Sequence, residues 1–381
     1  MNLTRGSPAR VLHVVSAMNR GGAETLLMNV YRQLDRRTVQ FDFVSHRQEA
    51  CDYDEEIEAL GGKVYRIQSL GEQGFFSYIR QLRRIMRQES YVAVHAHTDY
   101  QVGMPTIAAR LCGIHRRICH AHTDHWPLGD GWKQRTLLLS LQGLIKLFAT
   151  DCCACSEEAA RFLFGRAKVR SGAVRVLKNA IDVERYITRI EENRLAVRKE
   201  WRLPADTKII GHIGHLSKVK NHMLMLKVME RLLAEDEHIY AIFVGDGPLR
   251  KEIEHEARRL RIHEHLLFLG VRADIPRILK GLDVFLFPSF HEGFGMAAVE
   301  AQGAGVPVIA SDRVPTSTDI GLGLISYVGL DEDIGIWVRA IKNAFHVNRP
   351  DTKEIHDRFL KQGYDIHEAL PNWLALYGLP S

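Results

Sequence analysis

The sequence predicts an α/β protein of two domains, each a Rossmann-like unit around a parallel sheet. Three observations carry this. The chain has 381 residues, enough for two domains that each bury their own core. Short apolar runs alternate with helical patterns along most of the length. Glycine-rich turns follow such runs around residues 18–22 and 292–295, and turns of this kind bind ligands beyond the carboxyl ends of open parallel sheets.

Composition sets limits. Hydrophobic residues make up 46% and charged residues 25%, as in a globular protein. A net charge of +5 suits anionic nucleotides or an anionic membrane surface and is too small to argue for nucleic acid. Residues 1–10 are short and polar, without the apolar stretch of a signal peptide, and no apolar run of about 18 residues predicts a membrane span. The expectation is a cytoplasmic protein. Six cysteines include the CxxC of Cys152 to Cys155, with no second pair to complete a zinc site. They sit in an apolar run, 148–156, that reads as a buried strand carrying reduced thiols.

Taken in order, 10–16 is a strand, 18–22 a glycine turn and 23–34 a helix. Gly21 and Gly22 can cradle phosphate, although the G-x-G-x-x-G spacing is absent. Strands at 41–44 and 63–67 flank an acidic helix at 53–60. The helix 75–88 sets Arg80, Arg83, Arg84 and Arg87 beside Phe76, Ile79, Leu82 and Met86. It reads either as a core-packed helix with a solvated basic face or as a surface for an anionic membrane.

An echo follows. Val94-His95-Ala96-His97-Thr98-Asp99 recurs as Cys119-His120-Ala121-His122-Thr123-Asp124, 25 residues later (120 − 95). Each copy ends a strand-like run, so two neighbouring parallel strands would bring four histidines to one sheet end. Such HxH pairs also fit a metal-dependent hydrolase, which needs a further ligand that this half does not plainly offer. Satisfied structural histidines are the competing reading for His95, His97 and His120. Residues 134–148 read as a core helix, 156–164 as another helix and 191–201 as a charged linker.

In the second half, strands are expected at 208–213, 240–244, 266–272, 283–287 and 307–310. Gly245 opens a turn before a helix with Pro248 in its first turn. The stretch Pro288 to Glu300 is a strand-to-helix turn, with a helix over 296–303. Gly293 and Gly295 allow close backbone approach, and the helix N-terminus behind them seats phosphate. Glu292 lies in the turn. Glu300 lies eight positions on (300 − 292), about 12 Å deeper at helical rise. That separation suits a long polar ligand such as a nucleotide sugar. An ordinary turn with a solvated Glu is the alternative.

Glu292 and Glu300, with Gly293-Phe294-Gly295 between them, resemble the E-x7-E signature of the retaining GT-B glycosyltransferases of family 4. Met18 to Glu24 and Val299 to Gln302 are similar to the bacterial exopolysaccharide-type members. The resemblance covers the whole chain and implies two domains facing across a cleft. Asn179 to Asp182 resembles the family's interdomain N-G-V-D, which places domains at 1–183 and 184–360 and a tail at 361–381 that crosses back to the first.

The resemblance also assigns roles. Gly21 and Gly22 would lie against the donor diphosphate and the acceptor. His122 would contact the donor sugar, with His120 the second choice. Gly214 to Lys220 matches G-R-L-S-x-x-K, a diphosphate grip that keeps Lys220 and replaces the arginine by His215. That exchanges a permanent cation for a titratable one. The backbone of Val271 and Arg272 would pair with the base. Glu292 would hold sugar hydroxyls, Glu300 the ribose, and Gly293 to Met296 the diphosphate. Asp312-Arg313-Val314-Pro315 departs from the usual Gly-Gly-x-Pro-Glu.

The expected activity is retaining transfer of a hexosyl group from a nucleoside diphosphate sugar, UDP-linked by preference, without metal or cofactor. The acceptor would be a carbohydrate, a lipid-linked sugar or a small molecule. Relatives that work on lipid-linked acceptors imply peripheral contact with the inner membrane face. A nucleotide-sugar epimerase, a metallohydrolase and a sugar-nucleotide-binding regulator are the rivals.

Overall fold

The computed structural model describes residues 7–123, 131–204 and 206–380. Asp124 and the first six residues lie outside them. The chain divides into two compact units, Met1–Ala180 with Ile366–Ser381, and Ile181–Asp365.

The first unit carries seven strands, β1 (Ala9–Val15), β2 (Val39–Ser45), β3 (Val64–Arg66), β4 (Tyr91–Ala96), β5 (Arg116–Ala121), β6 (Asp151–Ala154) and β7 (Arg175–Val176). They form one sheet in the order β3-β2-β1-β4-β5-β6-β7, with every pair parallel. The order reverses direction between β1 and β4. At such a switch point adjacent loops diverge to opposite faces and leave a crevice for a ligand. The central strands read as near-continuous apolar runs because helices cover both faces. Leu12, Val14, Val44 and Val94 pack on one side, and Val11, Phe41, Phe43 and Ile118 on the other. The last helix, Ile366–Tyr377, buries Trp373, Leu376 and Tyr377 in this second layer.

The second unit carries β8 (Lys208–Ile213), β9 (Ile239–Val244), β10 (Leu266–Gly270), β11 (Val284–Phe287), β12 (Val308–Ser311) and β13 (Ile325–Val328). Their order is β10-β9-β8-β11-β12-β13, again parallel throughout, with the switch point between β8 and β11. Both sheets are the parallel α/β architecture that the alternating pattern predicts.

Several expectations are corrected. Residues 191–201 are not a linker: Ile190–Glu200 is a helix that buries Val197 and Arg198. Arg198 and Arg194 reach Asp283 at 2.6 and 2.8 Å, and Asp283 also accepts from the Ile209 N–H at 2.8 Å. The charge that suggested a linker instead ties this helix to the starts of β8 and β11. The helix Trp132–Phe148 is not a core helix, since only Leu141 and Ile145 are buried. Trp132, Leu139 and Leu147 are 75%, 67% and 72% exposed. In the helix Phe75–Met86, Phe76 leaves the apolar side and is 87% exposed, whereas Ile79, Leu82 and Met86 are buried as expected. Pro248 precedes its helix, which begins at Arg250.

Candidate active site

In the second unit, four loops meet beyond the carboxyl ends of β8 to β11. The Gly214 N–H donates to Val244 O (2.9 Å), Gly245 N–H to Gly270 O (2.8 Å), Leu216 N–H to Asp246 O (3.0 Å) and Phe290 N–H to Val219 O (2.8 Å). Gly245 is required here. Its φ is +127°, and a Cβ would come 2.1 Å from Gly214 O.

Lys220 ends the short 3-10 turn Lys218–Lys220 after β8, and Glu292 follows β11. The two meet at the switch point, with Lys220 Nζ 2.5 Å from Glu292 Oε1. The ammonium also lies 4.9 Å from the centre of the Phe287 ring, a cation–π contact at the floor of the pair. Both side chains are largely enclosed, at 18% and 11% exposure. His215, in the same loop, is exposed.

The helix Met296–Gly303 begins where the sequence predicts. Gly295 enters it at φ +91°, ψ +48°, and no side chain caps its first turn. Its N–H groups and dipole are therefore available to an anion. A Cβ on Gly295 would meet Thr318 Cγ2 at 3.0 Å and Phe287 Cε1 at 3.3 Å, so only glycine turns the chain here. Phe294 and Met296 are buried, and Phe294 stacks on Tyr364 with centroids 5.6 Å apart. These two residues offer backbone rather than side chain. Half-buried Gly293 stands between them and Glu292.

Of the two helical turns expected between Glu292 and Glu300, only Met296 to Glu300 is helical, a rise of about 6 Å. Glu300 is buried, and Tyr186 OH donates to its Oε1 at 2.7 Å. Arg272 turns its guanidinium to Asp274, with two contacts of 2.8 Å, and to Glu200 at 3.5 Å. Its side chain is thus engaged within the protein, and Val271 beside it is exposed.

In the first unit, the echo does bring its four histidines together, and β1 adds a fifth. His13 stands opposite His95, and His120 opposite Cys153. His13 Nδ1 is 3.0 Å from His97 Nε2, and His97 Nδ1 is 2.9 Å from His122 Nε2. His95 Nδ1 is 2.9 Å from Tyr377 OH, and its Nε2 is 3.5 Å from Cys153 Sγ. His120 is buried, and neither ring nitrogen has a hydrogen-bond partner among the described residues. Burial lowers the pKa of His13 to about 3 and of His122 to about 4. Burial lowers His95, His97 and His120 well below the usual imidazole value, and neighbouring histidines add to the effect.

The fold also supplies the further metal-ligand types that the sequence left open. Three groups, His13/His95/His97, His95/His120/Cys153 and His97/His120/His122, hold their ligand atoms within 4.8 Å of one another. Each offers three ligands, the number that a catalytic zinc takes from protein, where structural zinc takes four. His97 has both nitrogens within hydrogen-bond distance of other histidines, and burial, with Cys152 and Cys119 nearby, raises the Cys153 thiol well above its usual value.

Gly21 is the N-cap of the helix Gly22–Gln33, and both glycines are exposed. A Cβ on Gly21 would meet Glu24 Oε2 at 2.3 Å, so the Glu24 carboxyl folds back over the loop. Desolvation raises the Glu24 pKa to about 7, and Asp99 adds to the rise. Sequence reasoning missed His13, Glu24, Tyr186 and Tyr377. The signal for Glu24 is its place in the first turn after a glycine pair. Nothing in the local sequence marks the others, whose partners lie far along the chain.

These features can be set beside known proteins. The family described as Glycosyltransferase Family 4 matches residues 20–185, and Glycosyl transferases group 1 matches residues 193–321. EpsF of Bacillus subtilis (strain 168), a glycosyltransferase by name, is 40% identical over 376 residues, covering 98% of this chain and 97% of EpsF. The chain is a family 4 glycosyltransferase. The Escherichia coli UDP-Gal:alpha-D-GlcNAc-diphosphoundecaprenol alpha-1,3-galactosyltransferase is 29% identical over 239 residues, 61% of this chain and 60% of that protein. Among solved structures, Anabaena Alr3699/HepE in complex with UDP and glucose aligns with TM-score 0.78 at 20% identity, over 97% of this chain and 99% of that one. The fold of this glycosyltransferase is accordingly GT-B.

Proposed function

We propose that this glycosyltransferase moves a hexosyl group from a UDP-sugar to a carbohydrate acceptor, with retention of anomeric configuration, in exopolysaccharide synthesis. The observation that carries the reading is the Lys220–Glu292 pair at the switch point of the second sheet, beside the uncapped helix start at Met296. A cation and a set of backbone N–H groups there suit a diphosphate leaving group, and a carboxylate suits the sugar that it leaves. The names of the Escherichia coli relative and of the Anabaena complex, both carrying UDP, support a uridine donor.

In the proposed step, the bond from the anomeric carbon to the diphosphate oxygen breaks as the acceptor oxygen attacks the same face. The acceptor proton passes to the departing phosphate. Lys220, His215 and the N–H groups of Gly293 to Met296 stabilise the negative charge that develops there. Gly21 and Gly22 give the backbone approach for diphosphate and acceptor. Gly245 shapes the loop beside Lys220, and the backbone of Val271 and Arg272 holds the base. Glu292 takes sugar hydroxyls and supports positive charge at the anomeric carbon. Glu300 holds the ribose, with Tyr186 fixing its carboxylate. Tyr186→Phe should therefore raise donor KM several-fold with kcat less affected, and Glu300→Ala should do the same more strongly. Unchanged KM in both variants would remove Glu300 from the site.

His122, with His120 as second choice, orients the sugar. His122→Ala should lower kcat/KM well beyond His95→Ala, whose ring is committed to Tyr377 and Cys153. No metal or cofactor is required in this reading, and activity should survive excess chelator. Loss on chelation with recovery on zinc would move the chemistry to the histidine cluster and favour hydrolysis. An epimerase would instead convert the donor sugar with no acceptor present.

Among the described residues, no helix is long and apolar enough to cross a membrane. A peripheral contact fits better. Trp132, Leu139 and Leu147 follow seven- and eight-residue spacings along one helix, with exposed Arg135 and Lys146 beside them. Apolar groups among cations are what an anionic interface takes up. The protein should sediment with phosphatidylglycerol vesicles and much less with phosphatidylcholine, and Trp132→Ser with Leu139→Ser should abolish the difference. Equal recovery with both lipids would exclude this surface.

A further inference from the structure

The histidine cluster contains a row whose hydrogen-bond inventory has few solutions. His13 Nδ1 faces His97 Nε2, and His97 Nδ1 faces His122 Nε2. A neutral imidazole carries one N–H and one bare nitrogen. Burial keeps all three rings neutral near neutral pH. Placing the proton on one ring therefore places it on all three.

Two arrangements satisfy both bonds. In the first, His13 Nδ1–H donates to His97, and His97 Nδ1–H donates to His122 Nε2. His122 then keeps its own proton on Nδ1. In the second, every bond reverses, His122 Nδ1 is bare, and His13 carries its proton on Nε2. The inner end decides between them. His13 Nε2 is enclosed and has no hydrogen-bond partner among the described residues, and the Phe41 and Phe43 rings lie 4.2 and 5.3 Å from the His13 ring between centroids. A buried N–H without an acceptor is rarer in proteins than an under-used acceptor. The first arrangement leaves only a bare nitrogen in that place.

We propose that His13, acting through His97, fixes the tautomer of His122 so that His122 presents an Nδ1–H donor to a ligand oxygen. His13 is then a positioning residue, wholly buried and distant in sequence from the ring it sets. That the oxygen belongs to the donor sugar rests on the assignment of His122 proposed above. The tautomer does not.

The experiment uses the full chain with 15N-labelled histidine and a long-range proton–nitrogen correlation spectrum, which distinguishes Nδ1–H from Nε2–H imidazole. The His122 signal is identified by its loss in His122→Gln. In the wild type, His122 should appear as the Nδ1–H form. In His13→Phe, which suits a ring site beside Phe41 and Phe43, His122 should move to a mixture of both forms. His13→Asn, whose amide N–H can stand in for Nδ1–H, should restore the first form. With a UDP-sugar as donor, His13→Phe should lower kcat/KM by about three- to ten-fold, with recovery in His13→Asn. A wild-type His122 in the Nε2–H form would overturn the proposal without any variant. So would a His122 tautomer unmoved in His13→Phe. The expected spectra together with no donor turnover would support the relay and reject the sugar assignment alone.

Discussion

Lys220→Met should lower kcat by about two to three orders of magnitude, the loss typical of removing one preorganised donor from a developing anion. The methionine preserves much of the aliphatic stem and can place its thioether near the Phe287 ring where the ammonium lay, so packing is largely kept. What disappears is the cation. Glu292 then stands largely enclosed without its partner, and its charge opposes the diphosphate instead of being balanced. Donor KM should rise as well. Glu292→Gln should behave differently. It keeps shape, frees Lys220 for the diphosphate, and removes support for charge at the anomeric carbon, so kcat should fall while donor KM holds or drops. The double variant should cost less than the product of the single losses, because the two groups act on each other. His215→Arg extends the series, since a planar guanidinium can grip a diphosphate with two parallel N–H bonds. Donor KM should then fall below the wild-type value. Nucleotide release by each variant, with thermal midpoints as a folding control, checks all four. A Lys220→Met enzyme with wild-type kcat would take Lys220 out of the mechanism.

The first unit should lose stability sharply between pH 7 and pH 5. The sign follows from the buried histidines. His13 and His122 have folded pKa values lowered to about 3 and about 4. Below the unfolded value of about 6.5, the unfolded chain takes up protons that the native chain refuses. Stability therefore falls as pH drops from about 6.5 towards the folded pKa values, and the loss stops once the native rings can protonate. At pH 5 each such ring removes about 2 kcal/mol. His95, His97 and His120 act in the same direction. Denaturant titrations at pH 7.5 and pH 5 check this, and His120→Phe should lessen the acid loss because it removes one ring held neutral and forfeits no hydrogen bond seen among the described residues. A midpoint that does not change with pH would mean that these rings are not held neutral.

The parallel sheets and the helix at Met296–Gly303 were legible because their signals are local: apolar runs, glycine turns and their spacing. The HAHTD echo was legible as a sheet-end cluster because alternation sets side-chain direction within each strand. The fifth histidine was not. His13 sits inside an ordinary apolar run, and its partner His97 is 84 positions away. Tyr186 is likewise 114 positions from Glu300, so no window of sequence contains both. The two misread helices failed for opposite reasons. Ile190–Glu200 looks like a linker because most of it faces solvent, while its buried part is Val197 and an arginine held by Asp283. Trp132–Phe148 looks like core because it is apolar, and composition does not tell which faces find a partner.

The most direct test of the central claim follows the anomeric proton. The protein is incubated with α-configured UDP-glucose, UDP-galactose or UDP-N-acetylglucosamine and a lipid-diphosphate sugar acceptor, and product is monitored by proton NMR as it forms. Retaining transfer predicts UDP release matched by a new α-linked sugar, with chelator present throughout. A β-linked product, or a donor sugar epimerised without UDP release, would contradict it.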